Sequence, residues 1–180
     1  MKLFREEAYK LKKMNIGRFI CIGGILAAIT VLFQSAPVFL PAIGLALSPL
    51  STLPIAIAAV SNISLGLAVF ISSALILVMV DVQETIILLF TTGLLGIVIG
   101  ILLYRNGIII SILFSSIALS LGMMFLTYIV SIPAFVDLTI TLSTLLTYLI
   151  FFSFSLVYSS IWNFFIRKIM QYVRKYLPLV

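Results

Sequence analysis

The sequence predicts an all-α integral membrane protein of six transmembrane helices, with N- and C-termini cytoplasmic and the second span proline-broken. Three observations carry that expectation. First, 63% of the 180 residues are hydrophobic and 9% charged, whereas soluble domains carry about 25% charged residues. A chain this short has no water-soluble way to bury so much apolar surface. Second, the apolar residues fall into six runs separated by short polar breaks, and about 20 such residues cross a hydrocarbon core. Third, the charges sort by side. With the N-terminus inside, every Lys and Arg falls on the cytoplasmic side, while Asp81, Glu84 and Asp137 fall outside. That is the bias basic residues impose on insertion.

The elements follow in order. Residues 1–14 carry Lys2, Arg5, Lys10, Lys12 and Lys13, with Leu3, Phe4, Leu11 and Met14 as an apolar side. This is the pattern of an interfacial helix against anionic membrane lipid. Span 1 runs from Ile16 to Phe33. Its apolar run is too long for a secretory leader and ends in Gln-Ser-Ala-Pro without a cleavage site. Span 2 lies between Val38 and Val60 and contains Pro41, Pro49 and Pro54. An undisturbed helix does not hold three prolines, so a re-entrant or broken element is expected, or a short helix after an irregular loop. Non-helical backbone at membrane depth persists only against protein or a wet cavity, which makes Gln34–Pro54 a candidate cavity wall.

Ser61-Asn62 reads as a tight turn before span 3, Ile63 to Val80. Asp81-Val82-Gln83-Glu84 precedes span 4, Thr85 to Leu103, in which Gly96 and Gly100 permit a close helix crossing. Tyr104–Gly107 leads into span 5, Ile108 to Val130, and the loop 131–137 into span 6, Leu138 to Phe165. The whole is one membrane domain over 1–180: a lead at 1–14, a six-span bundle at 15–166 and a basic cytoplasmic tail at 167–180.

Several function classes are disfavoured. Histidine is absent, which removes His-based acid–base chemistry and the common zinc sites, so neither a metal nor another cofactor is expected. No P-loop and no nucleophile elbow occurs. The only aspartates, Asp81 and Asp137, stand immediately before helices, where a carboxylate caps free N–H groups, so an aspartyl enzyme is not expected. No carboxylate lies deep in a span, as an ion-coupled pump would need. The net charge of +6 is a topology signal, and no nucleic-acid partner is required to explain it. What remains is binding without catalysis. Small-molecule sites are mostly apolar with a few placed polar groups, and Gln34, Ser35, Asp81, Glu84, Thr92, Tyr128, Asp137 and Thr147 are the candidates. Three external acids without an external base favour a cationic or amine-bearing ligand.

Span 1 has an unusual face. Gly17, Cys21, Gly24 and Ala28 form one helical stripe, and Gly23, Ala27 and Thr30 form its neighbour. Small side chains let another helix approach closely. Two readings stay open: the face packs inside the bundle, or Gly23, Gly24, Ala27 and Ala28 dock on a partner.

Gly23-xxx-Ala27 and Gly24-xxx-Ala28, together with size, six spans, cytoplasmic ends and a basic lead, resemble the substrate-binding S component of energy-coupling factor (ECF) transporters. The resemblance implies a subunit of an ABC importer in a bacterial plasma membrane. Such a subunit captures a vitamin-like small molecule near its outer face, through the loop that is Gln34 to Pro49 here, and docks on a T subunit through helix 1. Separate cytoplasmic ATPase subunits drive it. The His-rich N-terminus of the nickel- and cobalt-binding members is missing. The chain also resembles six-span scaffold proteins of the MreD type, which would make it an assembly partner that binds no ligand.

Overall fold

The computed structural model describes residues 16–105, 107–130 and 144–176. The interfacial lead, the loop with Asp137 and the start of the expected sixth span lie outside the described residues. Within them every regular element is helical. In chain order these are α1 (Ile16–Gln34), α2 (Ala36–Phe39), α3 (Pro41–Leu47), a 3-10 turn (Ser48–Ser51), α4 (Thr52–Ser61) and α5 (Ile63–Val78). They are followed by α6 (Val82–Ile87), a π turn (Leu88–Thr92), α7 (Gly93–Arg105), α8 (Ile108–Tyr128) and α9 (Thr144–Tyr176).

Five helical stretches are long and apolar enough to cross a membrane: Ile16–Gln34, Pro41–Ser61, Val82–Leu103, Ile108–Tyr128 and Leu145–Tyr172. The described residues are therefore all helical in their regular elements, and the long apolar helices make this a multi-pass membrane protein. The remaining expected crossing, α5, has 16 residues, about 24 Å of helix against a core about 30 Å thick. It stops at Val78 because Asp81 swings into an extended conformation to cap α6. At the other extreme, α9 has 33 residues, roughly 50 Å of rise. It carries straight on into the basic segment expected as a tail.

The prolines act where proline is tolerated. Pro37, Pro41 and Pro49 each occupy a first or second position, of α2, of α3 and of the 3-10 turn. There the missing N–H would have had no intrahelical partner. The stretch Pro41–Ser61 is thus helix, 3-10 turn and helix in succession. Turns between helices are equally legible in side chains. Asn62 accepts from the Ser64 N–H at 2.8 Å. Asp81 accepts from the Glu84 N–H at 2.8 Å. Gly107, at φ +90°, supplies the left-handed backbone that lets α8 start directly after α7.

Packing centres on α4, which lies against α5 and α7. Two buried clusters flank it, one built on Leu95, Ile99, Leu119, Trp162 and Ile166, the other on Ile55, Leu65, Val69, Leu77 and Leu88. The Gly96-xxx-Gly100 pair is the crossing point: a Cβ on Gly100 would sit 2.5 Å from Ala59 Cβ, and one on Gly96 would sit 2.9 Å from the Thr52 carbonyl oxygen. α1 is the outlier, buried only at Ala27, Thr30 and Gln34, and it leans on α5.

The close crossing yields a test. Gly100→Leu should lower stability by about 1–3 kcal/mol through overpacking. Gly24→Leu, with nothing within 4 Å of its added Cβ, should leave stability unchanged. Thermal unfolding in detergent reads both.

Candidate functional site

The end of α1 carries an amide where the bundle has few polar groups. The Gln34 side chain is fully buried. Its Oε1 accepts from Ser51 Oγ at 2.7 Å and from Thr92 Oγ1 at 2.9 Å, and its Nε2 donates to Glu84 Oε2 at 2.8 Å. The amide orientation is fixed by what its neighbours are able to do. Both hydroxyls donate and a carboxylate accepts, so the flipped amide would face oxygen to oxygen.

Four segments meet at this hub, and each is shaped to reach it. Ser51 ends the 3-10 turn, so the proline-rich segment brings a hydroxyl inward. Glu84 lies in the first turn of α6, whose cap is Asp81. The Thr85 hydroxyl in turn donates to the Asp81 carbonyl at 2.8 Å. Thr92 closes the π turn, and a π turn inside an α-helix often marks a functional place. The turn is accommodated by Gly122 of α8, because a Cβ there would collide with the Phe90 carbonyl. Phe90 and Phe125 stack beside it with ring centroids 4.1 Å apart.

Of the expected site residues, the structure therefore brings together Gln34, Glu84 and Thr92, with Asp81 supporting Glu84. Ser35 is buried but turns back to the Leu32 carbonyl at 3.4 Å. Tyr128 is 46% exposed at the end of α8. Thr147 is buried on α9. Asp137 lies outside the described residues. Asp81 and Glu84 are half-buried, and no Lys or Arg occurs between Arg18 and Arg105, so their charge has no nearby base in sequence. Among the described residues no three metal-ligating side chains come together. The hub joins an amide, two hydroxyls and a carboxylate, and what they do to one another is hydrogen bonding and charge.

The stripes of α1 separate. Gly23 and Ala27 face α5, where a Cβ on Gly23 would lie 3.3 Å from Leu65 Cδ1 and Ala27 is 3% exposed. Gly17, Cys21, Gly24 and Ala28 are exposed.

Two features escaped the sequence reading. Ser51 is one, and only its place between Pro49 and Pro54 signalled it. The other is a polar seam between α8 and α9. Ser111 Oγ donates to Asn163 Oδ1 at 2.5 Å, Asn163 Nδ2 donates to Ser115 Oγ at 3.3 Å, and the Ser115 and Ser159 hydroxyls pair with each other. Ser155 adds a contact to Met123 Sδ at 3.8 Å. The spacings Ser111/Ser115 and Ser155/Ser159/Asn163, each four residues apart, were the available signal.

The hub and the seam are separable by mutation. Gln34→Leu should cost about 1–3 kcal/mol, because it leaves buried hydroxyls and a carboxylate without their partner. Thr91→Val should cost less, since Thr91 bonds its own helix at the Ile87 carbonyl. Asn163→Ala should cost about 1 kcal/mol, the usual scale of an interhelical hydrogen bond in lipid. Unfolding of each variant in detergent is the measurement.

In comparisons with known proteins, the chain matches no family model, no curated protein and no solved structure.

Proposed function

We propose that the chain is a substrate-binding membrane subunit of the ECF importer type. It captures a vitamin-like small molecule from outside and docks on a T subunit through α1, while separate ATPase subunits supply the energy. The observation that supports this reading most is the convergence of Gln34, Ser51, Thr92 and Glu84 at one end of the bundle. A few polar groups fixed in an apolar surround are what a small-molecule site requires. Next to Ser51 in the chain, the buried Thr52 hydroxyl has no hydrogen-bond partner, and such a group is a natural point for an additional polar contact.

The topology that goes with this reading has six crossings, with α5 as the short third one and both termini in the cytoplasm of a bacterial cell. The proline-bearing second crossing opens at Ser48–Ser51 to offer Ser51. The hub then lies on the outer side with Asp81 and Glu84, and a ligand with a cationic or amine group complements those carboxylates. On α1, the outward stripe with Gly24 and Ala28 is the docking face, and Gly23 and Ala27 are committed to α5.

The test is native mass spectrometry of the purified protein together with thermal unfolding across a panel of vitamins and amine-bearing metabolites. The expected result is one retained small molecule and a rise in melting temperature on its addition. Glu84→Gln should weaken that ligand about tenfold or more, the scale of a lost hydrogen bond to a charged group. Unchanged affinity in Asp81→Asn, Glu84→Gln and Asp137→Asn would sink the carboxylate assignment. Gly24→Leu and Ala28→Leu should abolish association with a T subunit and leave ligand binding intact. A second reading, a scaffold of the MreD type, is favoured by one feature: the hub groups satisfy one another. It predicts partner capture that persists in the absence of any small molecule.

A further inference from the structure

The hub carries a charge without a counter-charge. Glu84 is half-buried, and a carboxylate taken out of water is paired or holds a metal ion. No Lys or Arg lies between Arg18 and Arg105. Arg18 stands in the first turn of α1, about 24 Å of rise from Gln34, and Arg105 is the last residue of α7. On the other side of the Gln34 amide there are only oxygens. Ser51 Oγ and Thr92 Oγ1 stand 2.7 and 2.9 Å from Gln34 Oε1, and all three side chains are buried. A further oxygen is unspent. Thr52, the residue after Ser51, is fully buried and its hydroxyl has no hydrogen-bond partner. Its carbonyl lies against Gly96, four residues on from Thr92, so Thr52 packs one turn from the hub. The amide joins the two sides. Glu84 accepts from Nε2 at 2.8 Å, which polarises the amide and makes Oε1 more negative.

We infer that the hub is a site for one sodium ion, held by Gln34 Oε1 and the hydroxyl oxygens of Ser51, Thr52 and Thr92, with Glu84 balancing its charge through the amide. The donor set selects the ion. Neutral oxygens and one carboxylate match a single positive charge, whereas calcium sites draw on several carboxylates and softer metals on nitrogen or sulfur. Among the described residues no three such ligands come together. Hydroxyl hydrogens rotate to suit their surroundings, so Ser51 and Thr92 turn theirs away from Gln34 as the ion enters. Membrane proteins place sodium sites where helices are interrupted, and here the 3-10 turn ends at Ser51 and the π turn at Thr92. The inference rests on the hub geometry and holds for an importer subunit and a scaffold alike.

The experiment is thermal unfolding of the purified full chain in detergent, titrated with sodium chloride against N-methyl-D-glucamine chloride at constant ionic strength, together with equilibrium binding of radioactive sodium. No vitamin and no partner subunit is present. The wild type should bind one sodium ion saturably and unfold at a higher temperature in sodium. Thr52→Val removes a hydroxyl that has no partner, so without sodium it should be at least as stable as the wild type. Its sodium affinity should nevertheless fall about tenfold, the scale of one lost polar contact. Glu84→Gln should abolish the sodium response. Thr91→Val, whose hydroxyl bonds the Ile87 carbonyl, should keep it. Circular dichroism checks the helix content of each variant, and Thr52→Val decides the matter if Glu84→Gln does not fold. Equal unfolding in the two salts overturns the inference, as does unchanged sodium affinity in Thr52→Val. A chain that retains a vitamin but binds no sodium would overturn it too, and would leave the importer reading standing.

Discussion

A buried amide in hydrocarbon has to be answered by other polar groups, and Gln34 is that constraint here. An unpaired amide or hydroxyl in an apolar medium costs several kcal/mol, and no water in a bilayer core relieves it. The end of α1, the 3-10 turn, the start of α6 and the π turn are therefore drawn to one point. Departures from ideal helix at this end of the bundle serve the same point. The 3-10 turn interrupts the proline-rich stretch where Ser51 faces Gln34. The π turn ends at Thr92.

Elsewhere the structure is held by closeness. Lipid offers little hydrophobic gain for helix association, so contact area between helices has to supply it. Gly96 and Gly100 bring α7 onto α4, and Gly66 brings α5 onto Ala59 of the same helix. The seam between α8 and α9 adds hydrogen bonds to contact, with Ser111, Ser115, Ser159 and Asn163 all fully buried. α1 has neither device along most of its length. It is buried at Ala27, Thr30 and Gln34, and Phe19, Leu26 and Val31 are partly buried against the cluster built on Leu65 and Val69.

Much of this was legible in the residues, for identifiable reasons. Apolar runs, turn residues and caps announce helices in lipid, so the five long apolar helices, the turn at Asn62, the Asp81 cap and the Gly96–Gly100 contact could be read directly. Gln34, Glu84 and Thr92 stood out because polar residues are scarce near membrane depth. The hub itself was not legible. Its other members lie 17 to 58 positions from Gln34, and only the folded bundle says which of several hydroxyls meets the amide. Serines were the harder case. In lipid a serine often bonds its own helix, as Ser116 and Ser120 do, and their four-residue spacing is that of Ser111 and Ser115, which reach across to α9, so spacing marks a polar face without naming which one meets a partner. The split of the α1 stripes was also invisible, because small residues occur on both and the choice between them is made by Leu65 on another helix.

The π turn at Leu88–Thr92 acts as a phase shifter. Each residue of α-helix advances the chain by about 100°, and the wide turn holds one residue beyond the regular count. Val82–Ile87 and Gly93–Arg105 thus share one axis but are out of rotational register. This offset allows Glu84 and Thr92 to meet the same amide while Gly96 and Gly100 still point at α4. Removing a single residue from the turn would restore an unbroken helix, and its two halves would then be rotated against each other by about a quarter of a revolution. The hub and the α4 crossing would compete for the orientation of one rod. An insertion, usually counted as a defect in a span, is here the means by which one helix serves two contacts.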